Sequence, residues 1–113
     1  MIPADLSFHD AVIAAVERDG TDTILHVEDV AMNDGEDVVN GTLAFDGVRR
    51  ILKDGKEIPE LAMAGDDGEI VELDELPGPV IRMFVIWTTY ASQDEAQDLY
   101  LIECKGMRWE ASE

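Results

Sequence analysis

The sequence is short of the residues from which most recognisable sites are built. Its single cysteine, Cys104, excludes an internal disulfide and any multi-cysteine zinc site. Only eight lysines and arginines are present, and Arg49-Arg50, the one adjacent basic pair, lies among acidic neighbours. Nucleic-acid binding is therefore disfavoured, because phosphate contacts need clustered cations. The longest largely apolar segment, Val80 to Trp87, interrupted by Arg82, is far short of the roughly 20 residues that span a bilayer. Met1 to Asp10 contain no Lys or Arg and no apolar stretch, which reads against a secretory signal and for a cytoplasmic location. No Gly-rich phosphate loop, Ser-His-Asp arrangement or H-E-x-x-H helix occurs. Catalysis is accordingly not expected, and neither is a cofactor.

What is abundant is negative charge. Twenty-six Asp and Glu face eight Lys and Arg, giving −18 on 113 residues. Ionised carboxylates are too costly to bury unpaired, so they are expected to coat the surface. Such a coat repels nucleic acid and anionic membranes and attracts cationic proteins or metal ions. The apolar fraction of 46% argues for a folded chain, and the length suits a single domain over residues 1–113.

Short β-like runs alternate with turn signals. Val12 to Arg18 and Thr23 to Val30 form an expected hairpin across Asp19-Gly20-Thr21-Asp22. The acidic loop 33–37 then leads into Val38 to Phe45, with Leu43 and Phe45 sharing one face. Val48 to Leu52 follows Asp46-Gly47 and ends at Lys53-Asp54-Gly55-Lys56. Residues 57–64 read as a helical turn or an irregular crossing. Glu69 to Leu73 reads as a short edge strand with Val71 and Leu73 inward. After the firm boundary Pro77-Gly78-Pro79, Val80 to Tyr90 is apolar on both alternating faces and predicts a central strand. Leu99 to Cys104 and Met107 to Ala111 are expected to pair through Lys105-Gly106. The sum is an all-β or β-rich α+β fold, an antiparallel sandwich or barrel of about seven or eight strands. The α+β alternative rests on residues 8–18, which also read as a helix capped by Ser7.

The densest acidic cluster, Asp66, Asp67, Glu69, Glu72, Asp74 and Glu75, is the first candidate site. It reads as a surface for a basic protein partner, with calcium binding or metal-dependent catalysis as the alternative. The calcium-loop template fails there: with Gly68 at position 6, Met63 and Gly65 fall where oxygen ligands are needed. A structural β-domain whose acidity serves solubility is the third reading. His9 and Asp10 are expected to point to opposite faces, and His26 to share a face with Glu28. Cys104 reads as a core thiol beside Tyr100 and Ile102. Trp87 and Phe84 read as core. Trp109, between Arg108 and Glu110 in the final strand, reads as an interface residue, and a homodimer through that edge is expected as one option.

The opening Phe8-His9-Asp10-Ala11-x-Ile13-x-x-Val16, leading into a second alternating strand, resembles a group of small uncharacterised bacterial β-rich proteins. Some of these are similar to immunity proteins that neutralise toxins of neighbouring cells. The resemblance implies a cytoplasmic binding protein without chemistry of its own, whose acidic face suits a basic toxin domain.

Overall fold

The computed structural model describes residues 6–32 and 35–112, and these form ten strands in one antiparallel sheet. They are β1 (Leu6–Ser7), β2 (Val12–Asp19), β3 (Asp22–Met32), β4 (Asp37–Asp46), β5 (Arg50–Lys53), β6 (Lys56–Ile58), β7 (Asp67–Leu76), β8 (Val80–Thr89), β9 (Asp94–Glu103) and β10 (Gly106–Ala111). The fold is all-β. No helix occurs among the described residues, so none is long and apolar enough to cross a membrane. Residues 12–19 are strand rather than helix: their inward side chains meet the long β3 strand, and that pairing overrides the helix preference of Ala14 and Ala15. Two strands exceed the expected seven or eight, namely the two-residue β1 and the three-residue β6, both too short to show a period. Asn33 and Asp34 of the acidic loop lie outside the described residues.

Hydrogen-bonded neighbours follow the order β10-β4-β3-β2-β7-β8-β9-β5-β6, with β1 added to β3. The terminal strands of this path, β10 and β6, do not pair, so the sheet is not a closed barrel. It is nevertheless rolled. β4 leads into β5 and β9 into β10, and the two links turn one corner side by side. Arg49 N–H donates to Glu103 O at 2.8 Å, and Lys105 N–H donates to Asp46 O at 2.7 Å. The β4–β10 ladder therefore continues around the corner as the β5–β9 ladder.

This corrects the expected hairpin at Lys105-Gly106. β9 pairs with β8 and β5, whereas β10 pairs with β4. Gly106 lacks the positive φ that reverses a two-residue hairpin, so the chain bends there instead of returning. Elsewhere the turn chemistry works as read. Gly20, with φ 62°, occupies the first central position of the β2–β3 turn, and Asp54-Gly55 supplies two positive φ values, 51° and 85°, for the β5–β6 turn.

Inward side chains converge on one core. Ile13, Leu25, Val27, Leu43, Phe45 and Ile70 meet Ile81, Met83, Val85, Trp87, Tyr100 and Ile102, all essentially inaccessible. On β8 only Ile81, Met83, Val85 and Trp87 are buried, while Phe84 and Ile86 are half-buried on the outer face. The central position of this strand is confirmed by its neighbours β7 and β9, but its second face is not covered and Phe84 is not core. On β7, Gly68 and Ile70 point inward, and a bulge between Ile70 and Glu72 then returns Leu73 to the inner side. Val71 is the extra residue of that bulge, so its expected inward position is corrected. Residues 59–66 form an irregular crossing with Leu61 buried against the core.

Candidate functional site

A cleft of about 980 Å³ opens where β7 loses its second neighbour. The local sequence explains why. Phe8 to Ala11 form a tight turn: Ala11 N–H donates to Phe8 O at 3.1 Å, and Asp10 takes a left-handed φ of 68°. Phe8 and Ala11 are buried. Asp10 N–H donates to Ile70 O and Ile70 N–H to Ala11 O, both at 2.8 Å, which docks the turn on β7. His9 Nδ1 then bonds Val71 O at 2.6 Å. The Phe-His-Asp-Ala motif is thus a clamp in which each residue has a structural task.

Beyond Val71 the clamp ends. β2 pairs with β7 only at Gly68 and Glu69, while residues 6–7 turn away to pair with β3. No described strand pairs with the outer edge of residues 72–76, and the gap beside them is the cleft. Leu6, Phe8, Leu73 and Met107 give it an apolar lining. Its polar lining holds Glu72, Asp74 and Glu75 against Arg82, with His9 at the clamp. Arg82 Nη2 bonds both Glu72 Oε2 and Asp74 Oδ2 at 3.0 Å, while its buried Nε–H has no acceptor.

The six acids of the sequence cluster are consequently divided. Glu72, Asp74 and Glu75 line the cleft. Asp66 and Asp67 sit at the far end of β7, where Asp66 Oδ2 accepts from Tyr90 N–H at 2.8 Å and Asp67 accepts from the Tyr90 hydroxyl. Those two acids brace the turn after β8. Glu69 lies between the two groups, opposite Val12 and Ile86. Among the described residues, no three His, Cys, Asp or Glu side chains are placed to hold a metal ion. The extended strand separates neighbouring carboxylates onto opposite faces.

Trp109 is half-buried. Its ring meets Phe8 edge-on at 5.4 Å and covers Gly41, where a Cβ would stand 2.7 Å from the indole. It is held against its own chain, and the outer edge of β10 carries no partner strand among those described.

A second polar grouping was not legible in the sequence. Asp98, expected with the other carboxylates at the surface, is a buried residue of β9. Trp87 Nε1–H donates to the Tyr100 hydroxyl at 2.9 Å, that hydroxyl donates to Asp98 Oδ2 at 3.3 Å, and Lys53 Nζ approaches the same oxygen at 3.4 Å. Burial, with the charge of Asp98, holds the Tyr100 phenol well above its ordinary range. A buried carboxylate is tolerable here because both a cation and a hydroxyl reach it. The spacing Asp98-x-Tyr100 on one strand face was the available signal.

Other expectations divide similarly. Cys104 is fully buried and burial raises its thiol pKa, as befits an inert core residue. His26 bonds Glu17 across the β2–β3 pair rather than Glu28, because the facing strand is closer than the next residue on its own side. His9 and Asp10 do meet, at 3.5 Å, since they lie in a turn and not in a strand. The Val71 carbonyl and then Asp10 raise the pKa of His9, which is exposed.

Compared with known proteins, the chain matches no family model, no curated protein and no solved structure.

Proposed function

We propose that this chain is a non-enzymatic binding module that engages a cationic protein surface in the bacterial cytoplasm, as an immunity protein engages a basic toxin domain. The observation that carries this reading is the −18 charge together with where the few cations go. Arg18, Arg50, Lys53, Arg82 and Arg108 are each held by a carboxylate of this chain. Little positive charge is left to offset the exposed acids, so the surface field is strongly negative. Nucleic acid and anionic membranes are repelled by the same field. Self-association through β10 must work against −18 on each copy.

Electrostatic attraction of this type acts mainly on the association rate. The test is a pull-down at low ionic strength, followed by stopped-flow association of the captured basic protein at rising salt. The rate is expected to fall steeply as the Debye length shrinks from roughly 30 Å at 0.01 M to about 8 Å at 0.15 M. A rate indifferent to salt would overturn the reading. Capture of no basic protein would favour an acidic coat that serves solubility alone.

A further inference from the structure

We infer that the cleft beside β7 takes an extended segment of the cationic partner as an added strand on the edge of residues 72–76. This rests on the proposed binding function and names where and how it occurs.

The first argument is the edge itself. β7 is paired with β8 along its whole length, down to Leu76↔Val80, but among the described residues its other side is covered only as far as the His9 clamp on Val71. Five residues of strand, about 17 Å at 3.4 Å per residue, have no described strand on that side. Unpaired edges are templates for added strands, with main-chain bonds giving affinity and side-chain pockets giving selectivity. Such an edge lying in a flat exposed surface would be an aggregation hazard. Here it lies in a cleft, with Leu6, Phe8 and Met107 on the facing wall.

The second argument is charge. Glu72, Asp74 and Glu75 stand along the edge against the single guanidinium of Arg82. Two copies of this edge brought together would oppose like charges directly, which is destabilising. A strand bearing Lys or Arg would instead meet opposite charges. The same residues therefore reject a second copy and select a cationic segment, attraction and exclusion from one set of side chains. Glu75 makes no ion pair among the described residues. Alternation along the incoming strand would turn one face of side chains to Glu72 and Asp74, and the other to Glu75 and the apolar lining beside Leu73.

The test uses the full chain and a synthetic peptide of about ten residues alternating Lys and Val, beside the same peptide N-methylated on every second amide. Titration calorimetry at low salt is expected to show binding that N-methylation weakens about tenfold or more. Glu75→Lys is expected to weaken it comparably, whereas Glu95→Lys, the same charge change on β9, leaves it within about twofold. Equal binding of both peptides, impaired equally by either variant, would remove the added strand while keeping the acidic-surface reading. No binding of either peptide would overturn both. A dimer at micromolar concentration that the peptide fails to dissociate would assign the edge to a second copy and overturn the inference. Urea melts of both variants, matching the parent within experimental error, are required to attribute the loss to the cleft, and Glu75→Gln serves as the milder substitution if Glu75→Lys does not fold.

Discussion

Each of the two tryptophans lies on a glycine, and the two pairs behave as opposite ends of one design. Trp87 covers Gly68 directly across the β7–β8 ladder, is buried, and spends its N–H on Tyr100. Trp109 covers Gly41 in the β4–β10 region, is half-buried, and touches Phe8 at the mouth of the cleft. Glycine leaves a gap in a sheet and an aromatic ring fills it. Where strands flank both sides, as around β7 at Gly68 and β8, the filled gap becomes core. Where the covering strand has a single described neighbour, the ring stays half-exposed.

The sharpest way to break this contrast is to remove the rings. Trp87→Ala should cost about 3–5 kcal/mol, the usual range for truncating a buried aromatic, read as a lower urea midpoint. It also deprives the Tyr100 hydroxyl of its donor beside the buried Asp98. Trp109→Ala should cost about 1–2 kcal/mol, because less of the ring leaves water. Equal losses at the two sites would refute the distinction between a core ring and a half-exposed one.

Filling the glycines asks the same question from below. An alanine Cβ at Gly68 would stand 2.6 Å from the Trp87 ring and 2.8 Å from Val85 Cγ1. With β2 and β8 on either side there is little room to yield, so Gly68→Ala should cost about 2–3 kcal/mol as overpacking. At Gly41 the obstruction is the carbonyl oxygen of Glu110. Among the described strands β10 has β4 as its one neighbour and can move away, so Gly41→Ala should release that strand locally. Hydrogen exchange is the discriminating measurement. Faster exchange confined to residues 106–111 in Gly41→Ala, against uniform loss in Gly68→Ala, is the expected pattern.

Much of the rigid part was legible in the sequence, and most of the cleft was not. Asp-Gly turns announce themselves because few residues accept positive φ, and the alternation of Leu43 with Phe45 survives in the structure. Lys105-Gly106 misled because a glycine beside a polar residue marks a bend without saying whether the chain returns. The outward face of β8 looked buried because Phe84 and Ile86 are apolar, although apolar residues are common at surfaces. The bulge at Val71 shifted the inward set by one residue, which no period of two can reveal. The cleft follows from that bulge and from where β2 stops. Both are facts of long-range pairing, so the acids were visible as a cluster but not as two groups with different tasks.

The smallest effect expected concerns the clamp that borders the cleft. His9 donates to Val71 O and faces Asp10, and these two neighbours, in that order, raise its pKa above the ordinary value of 6.5. A group bound more tightly to its proton in the folded state stabilises that state fully at pH below its unfolded value. The contribution then fades as pH rises through the higher folded value. The buried tryptophan region has no such response, since Tyr100 keeps its proton well past the ordinary range near 10. Protection factors of the Asp10 and Ile70 amides, whose bonds hold the turn to β7, should therefore decline from just above pH 6.5 upward. Those of Met83 and Ile102 should stay level. His9→Gln keeps a donor but cannot titrate, and should flatten the decline at Asp10 and Ile70. A His9 titration midpoint at or below 6.5 by NMR, or an unchanged decline in His9→Gln, would show that the proton on this ring does not hold the clamp.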